Sequence, residues 1–359
     1  MPAFDGVGDF YRVPRPLAKG DPGALIRVQQ LSDAGGQVVS RVMYHSLDSH
    51  GKDRAVTGMI SYPTVDAPAA GWPVLSWDHG TTGLSQSCAP SRLGAAPPTF
   101  GTDGVHVATD YLGLGPVGEL HPYLQRITEA RATIDIVRAA RNLPSAHAGK
   151  RWVVVGHSQG GHAALSTGEV APTYAPELDL IGTVAIAPAA ELTRAVPGEA
   201  ALVPDVVTAL GLFGAAADDP TLDVNRFLSP AAQKAQPLIE TACLPQLQTF
   251  LVQVAVTPGT KILNRNPRDD PVGKRFLALN EVGTVKTISP VLVVSGGRDA
   301  LVVPARIDLL MERLCHTGDT VERIVLPNDD HGSEPSTAAP QIKAWIDARY
   351  AGAKPPTSC

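Results

Sequence analysis

The sequence has no run of about 18 consecutive apolar residues, so no membrane-spanning helix is expected. It has no marked excess of either charge. Lys and Arg number 30 against 35 Asp and Glu, a net charge of −5, and nothing here draws the chain toward nucleic acid or anionic lipid. It has no CxxC and no Cys/His cluster, so no metal and no cofactor is expected. Internal repeats and low-complexity tracts are also missing. The opening, Met1-Pro2-Ala3-Phe4-Asp5, carries neither a basic nor an apolar leader segment, so no signal peptide is read there. Such a start suits a cytosolic protein, or a mature exported one with an added Met. Cysteines are few: Cys88, Cys243, Cys315 and Cys359. Four allow two bridges in three connectivities, or four free thiols in a cytosolic protein. Cys359 closes the chain, where a staple would hold a tail that otherwise frays.

What is present is globular: 44% of the 359 residues are apolar and 18% charged. That length suits two domains, or one large enzyme domain with an insertion. Gly (34) and Pro (32) are spread along the chain and signal many loops. Residues 1–24 read as an arm laid over the surface. Three β-rich stretches follow, near 25–31, 37–46 and 54–62, with turn residues between them that favour antiparallel pairing. From residue 72, short apolar runs at 73–77, 105–109, 152–155, 181–187, 291–295 and 321–326 alternate with helical segments. Strands interleaved with helices imply a mostly parallel sheet buried on both faces. Helical stripes run between residues 125 and 142, from Pro304 through Ile307, Leu310, Met311 and Leu314, and through Ile342, Trp345, Ile346 and Tyr350. Residues 188–287 break the alternation. They read as a helical insertion, with apolar pieces at 205–217 and 244–256, between core segments 1–187 and 288–359.

The strongest local signal is Gly156-His157-Ser158-Gln159-Gly160-Gly161. Gly-x-Ser-x-Gly alone is weak in a chain this rich in glycine. Here a β-branched strand enters it and a helix of small residues leaves it, the strand–turn–helix context of a nucleophile elbow. A serine on such a turn sits at strained φ/ψ and projects its hydroxyl above the sheet, and the two glycines let strand and helix approach. The helix N-terminus favours a developing oxyanion.

A serine nucleophile needs a base, and the base an acid. After Ser158 the histidines are His162, His316 and His331. His162 is tied to the serine's own helix, and His316 ends a helix, where His is a common last-turn residue. His331 lies on a loop after the run at 321–326, where α/β ligand sites form, and is the expected base. Asp299, after the run at 291–295, is the expected acid; its alternative role is to cap the helix near Pro304. Asp329 and Asp330 adjoin the histidine too closely, and Asp269 and Asp270 read as solvated. The backbone amides of Gln159 and Thr81 are the expected oxyanion donors, with Thr82 as the alternative to Thr81. His79 and Tyr111, and Leu212 and Phe213 of the insertion, are candidate substrate contacts. Asp110 reads as a loop organiser.

Taken together, His79-Gly80-Thr81-Thr82-Gly83, Asp110-Tyr111-x-Gly113-Leu114-Gly115, the serine motif, Gly296-x-x-Asp299 and Asp330-His331-Gly332 resemble the secretory lipase family of the α/β-hydrolase superfamily. The resemblance runs from about residue 70 to 335 and is loose in the insertion. It implies an α/β-hydrolase fold, with a mostly parallel central sheet flanked by helices and a helical cap between the sixth and seventh parallel strands. It implies a serine carboxylic-ester hydrolase; the apolar run Leu210-Gly211-Leu212-Phe213 of the insertion is expected to line an acyl pocket, the expected substrates are small to medium apolar acyl esters, and a monomer is the default. The resemblance also implies bridges Cys88–Cys243 and Cys315–Cys359 and export from the cell, against the alternative of a cytoplasmic protein. The competing readings are a serine acyltransferase or peptidase with the same triad, and a non-catalytic binding protein on the hydrolase scaffold.

Overall fold

The computed structural model describes residues 3–4, 6, 8–116, 118–196, 202–247, 249 and 261–359. Nine strands form one sheet: β1 (Leu25–Ala34), β2 (Gln37–Leu47), β3 (Asp53–Pro63), β4 (Trp72–Asp78), β5 (Val105–Thr109), β6 (Ala148–His157), β7 (Asp179–Ile186), β8 (Val291–Gly296) and β9 (Val321–Leu326). Their order is β1-β2-β3-β5-β4-β6-β7-β8-β9. The contacts β1–β2, β2–β3 and β3–β5 are antiparallel, and every pairing from β5 to β9 is parallel.

The inner parallel strands are apolar on both faces because helices cover both, while the edge strand β9 carries Glu322 and Arg323 and leaves Val325 exposed. On β6, Trp152 and Val154 join the core shared with α1 (Arg126–Arg141) and α2 (Gln159–Tyr174). Val153 and Val155 point the other way, into a core with Ile342, Trp345 and Ile346 of the last helix. On β8 the same period of two sends Val291 and Val293 to α6 (Pro304–Thr317), and Leu292 and Val294 to the last helix. Each side chain buried this way contributes about 1.5–3 kcal/mol. The arm is anchored by Phe10 and Tyr11, which are buried against Met43 and Ala55.

The connection from β7 to β8 carries α3 (Leu202–Asp218), α4 (Pro230–Thr241) and α5 (Pro271–Leu279). They share an apolar cluster that includes Phe213, Phe227, Ile239 and Phe276, and it extends to Leu84, Tyr123 and Leu124 on loops of the sheet unit. In this sheet β7 and β8 are the fourth and fifth strands of the parallel set, not the sixth and seventh. The antiparallel strands β1–β3 precede that set and take no part in it. Most of the apolar piece at 244–256 lies outside the described residues. Asp270 also departs from expectation. It is buried, caps α5 through the Val272 amide at 2.9 Å, and accepts from Arg226 and Arg265 at 2.6 and 3.1 Å. Disulfides join Cys88 to Cys243 and Cys315 to Cys359. Among the described residues no helix is long and apolar enough to cross a membrane.

Candidate active site

Ser158 stands between β6 and α2 at φ 59°, ψ −115°, a region that side chains other than glycine rarely enter. The surroundings fix it there. Its N–H donates to Ile186 O at 2.9 Å, and its carbonyl accepts from His162 N and Ala189 N, each at 3.1 Å. A Cβ on Gly156 would overlap the Gly160 carbonyl, and one on Gly160 would overlap the Asp78 carbonyl. Only glycine lets strand, turn and helix pack this tightly.

His331 follows β9 on a loop whose turn is organised by Asp330, which accepts from the Gly332 and Ser333 amides at 3.1 and 3.0 Å. Its Nδ1–H donates to Asp299 Oδ2 at 2.7 Å, which leaves Nε2 as the basic nitrogen. Asp299 is buried, and its Oδ1 accepts from the Leu301 and Val302 amides at 2.7 and 2.9 Å. It therefore holds the entry to α6 and the imidazole together. Burial pushes its carboxyl up, but the His331 hydrogen bond and charge and the two amides outweigh this, so its pKa is lowered. Ser158, His331, Gly80 and Thr81 line one cavity of about 520 Å³, whose other walls include Leu124, Val207, Leu210, Phe276 and Leu277.

Gln159 opens α2, so its N–H has no partner within the helix. Its side chain turns inward, where Nε2 donates to Glu129 Oε1 at 2.8 Å and to His121 Nε2 at 2.7 Å. His162 donates from both ring nitrogens, to Glu129 Oε2 at 2.9 Å and to Asn280 O at 2.7 Å. Burial opposes its charge, but Glu129 outweighs burial, so the His162 pKa is raised. That engagement takes His162 out of contention as the base. His316 is exposed, bonded to Glu312 O of its own helix. On the other side of the site Thr81 Oγ1 meets the Tyr123 hydroxyl at 2.7 Å, while the Thr82 carbonyl accepts from Leu244 N at 2.8 Å. Asp110 accepts from Ser91 N at 2.8 Å and Thr57 Oγ1 at 2.6 Å and organises its loop.

Four expected substrate contacts do not reach the cavity. His79 and Tyr111 are buried beneath the loop at Gly80. Their rings are 4.6 Å apart, and the Tyr111 hydroxyl donates to His79 O at 3.2 Å, so they brace that loop from behind. Leu212 and Phe213 point into the core between the β7–β8 helices. The helical phase of α3 turns Val206, Val207, Leu210 and Gly211 to the cavity instead. Conversely, His157 and Tyr123 line the cavity and carried no distinguishing sequence role. The His157 ring lies 4.6 Å from that of His331. Burial, and then the His331 charge, lower its pKa to about 4, so it stays neutral beside His331. No group of side chains suited to hold a metal ion occurs among the described residues.

This fold, with a serine on a strained β–α turn and a His–Asp pair at the ends of later parallel strands, defines an α/β-hydrolase. Residues 102–358 match the model of the secretory lipase family, and the chain belongs to that family. It is therefore a hydrolase of esters, of lipase or esterase type. Candida antarctica lipase A in its closed state is similar in fold, with a TM-score of 0.78 at 17% identity, over 98% of this chain and 88% of that one. The rice cell wall degrading esterase LipA from Xanthomonas oryzae aligns with a TM-score of 0.72 at 19% identity, over 92% of this chain and 98% of that one. A putative hydrolase from Legionella pneumophila aligns at 0.70 and 19%, over 88% of each chain. No curated protein matches the chain in sequence.

Proposed function

We propose that the chain is an exported serine carboxylic-ester hydrolase that works through an acyl-enzyme on small to medium apolar acyl esters. Ser158 Oγ attacks the ester carbonyl as His331 Nε2 takes its proton. Asp299 fixes the imidazole tautomer and stabilises the imidazolium that forms. The amides of Gln159 and Thr81 receive the oxyanion; one such donor is worth roughly 3–4 kcal/mol. His331 then protonates the leaving alcohol, takes a proton from a water whose oxygen attacks the acyl carbonyl, and returns that proton to Ser158 Oγ as the acid leaves. Residues 188–287 act as a cap whose apolar faces receive the acyl chain. The observation that carries this reading is the 2.7 Å His331–Asp299 contact at a cavity also lined by the strained serine. The two disulfides support export, since such bonds persist in oxidising compartments. A panel of p-nitrophenyl esters from acetate to palmitate tests it. Hydrolysis that peaks at short or medium chains and vanishes in Ser158→Ala is expected, and wild-type rates in Ser158→Ala would refute the reading.

A further inference from the structure

Behind Asp299 lies a second buried carboxyl that this mechanism leaves unused. Glu334 opens the short helix α7 (Glu334–Thr337), three residues past His331, and is wholly buried. Its Oε1 accepts the Gly296 amide at 2.7 Å, at the end of the strand that leads into Asp299. The fit is tight enough that a Cβ on Gly296 would strike that oxygen. Oε2 is buried and receives no hydrogen bond from any donor group of the protein, while the side chain is in hydrogen-bonding contact with Asp299. Two touching carboxyls in a buried site do not both ionise near neutrality. Asp299 is the better anion, since it accepts from His331 and from two backbone amides. Glu334 accepts from one amide.

We propose that Glu334 is a neutral acid at neutral pH, and that its proton, carried on Oε2, is donated in a hydrogen bond to Asp299, making Glu334 a positioning residue for the Asp299–His331 pair. The proposal rests on the reading of Asp299 as the partner of the catalytic base. The charged groups facing Glu334 are Asp299 from the loop after β8 and Asp329 from the loop after β9, both negative, and the Gly296 amide pulls the other way. Burial first, and then the Asp299 charge, raise the Glu334 carboxyl to about 8. Above that pH the donor is lost, and a second negative charge faces Asp299.

The pH dependence of kcat/KM in wild type and Glu334→Gln tests this. Gln keeps both an acceptor for the Gly296 amide and a donor for Asp299, and it cannot ionise. Wild type is expected to lose activity as pH rises through about 8. Glu334→Gln is expected to stay within about threefold of wild type at pH 7 and to lack that alkaline limb, while Glu334→Leu falls about tenfold or more at every pH. Infrared spectroscopy gives a readout independent of turnover: one protonated-carboxyl component at pH 7 that appears in the wild-type minus Glu334→Gln difference spectrum. A band unchanged by Glu334→Gln, or an alkaline limb that persists in it, overturns the proposal. If Ser158→Ala still hydrolyses ester, the serine mechanism itself fails. If Ser158→Ala is dead but Glu334→Gln titrates like wild type, only the role of Glu334 fails.

Discussion

At the residue scale, the proposed chemistry rests on three side chains and two glycines. Ser158→Ala is expected to lower kcat by a factor on the order of 10⁵–10⁶ with the melting temperature little changed, since what is lost is the nucleophile and not packing. Asp299→Asn is expected to lower it by roughly 10⁴, because the amide presents the wrong hydrogen-bond pattern to His331 Nδ1. Gly160→Ala acts differently. Its methyl would meet the Asp78 carbonyl, so it is expected to reduce stability by about 1–3 kcal/mol and distort the turn, as thermal melting would show. Ser158, Asp299 and His331 were legible because each follows a short β-branched run, and residue order narrowed the choice. Tyr123 and Glu334 were not legible. Their roles come from burial against groups distant in sequence, such as Thr81 and Gly296, and no local pattern records that contact.

At the scale of elements, β1–β3 were read correctly because they pair across short turns, and the inner parallel strands because they bury both faces; edge strand β9 was readable from its β-branched run alone. The insertion was readable only as helical. Which face of α3 meets the cavity depends on where its axis lies, and the apolar run from Leu210 to Phe213 does not itself separate Leu210 and Gly211, which line the cavity, from Leu212 and Phe213, which do not. The Cys88–Cys243 bridge joins the loop after β4 to this insertion, beside the bridge between Gly83 and Cys243 and the Leu244 N–Thr82 O bond at 2.8 Å. With a sequence separation of 155 it restrains a long loop, so its removal by paired Cys→Ser changes is expected to cost about 5 kcal/mol in the chain-entropy model. The Cys315–Cys359 bridge, with a separation of 44, is expected to contribute about 4 kcal/mol. Denaturant unfolding of the two double variants ranks them. Only the first is expected also to raise KM, because it alone ties the Thr81 loop to the helices over the site.

At the scale of the whole molecule, buried titratable groups set how stability follows pH. Burial raises the carboxyls of Asp78 and Asp110 and takes Asp135 to about 6 and Glu334 to about 8. In these groups the folded state holds protons that the unfolded state has released, so stability falls as pH rises from the ordinary carboxylate range toward the raised values. His121 and His157 work in the other direction. Burial lowers each to about 4, so between that value and the ordinary histidine pKa the unfolded state binds more protons, and stability falls on acidification. Asp299, lowered when folded, adds stability that disappears as pH falls through its folded value. The four raised carboxyls outnumber the two lowered histidines, so the melting temperature is expected to decline as pH rises from about 5 toward about 8. A monotonic rise from pH 5 to 9 would contradict this balance.

In the proposed mechanism the Ser158 hydroxyl is made nucleophilic by its placement before His331. Intact-mass and peptide mass spectrometry after treatment with a fluorophosphonate measures this directly. A single adduct on Ser158 is expected, absent in Ser158→Ala and formed far more slowly in His331→Ala and Asp299→Asn. No adduct on wild type, or one that persists in Ser158→Ala, would contradict it.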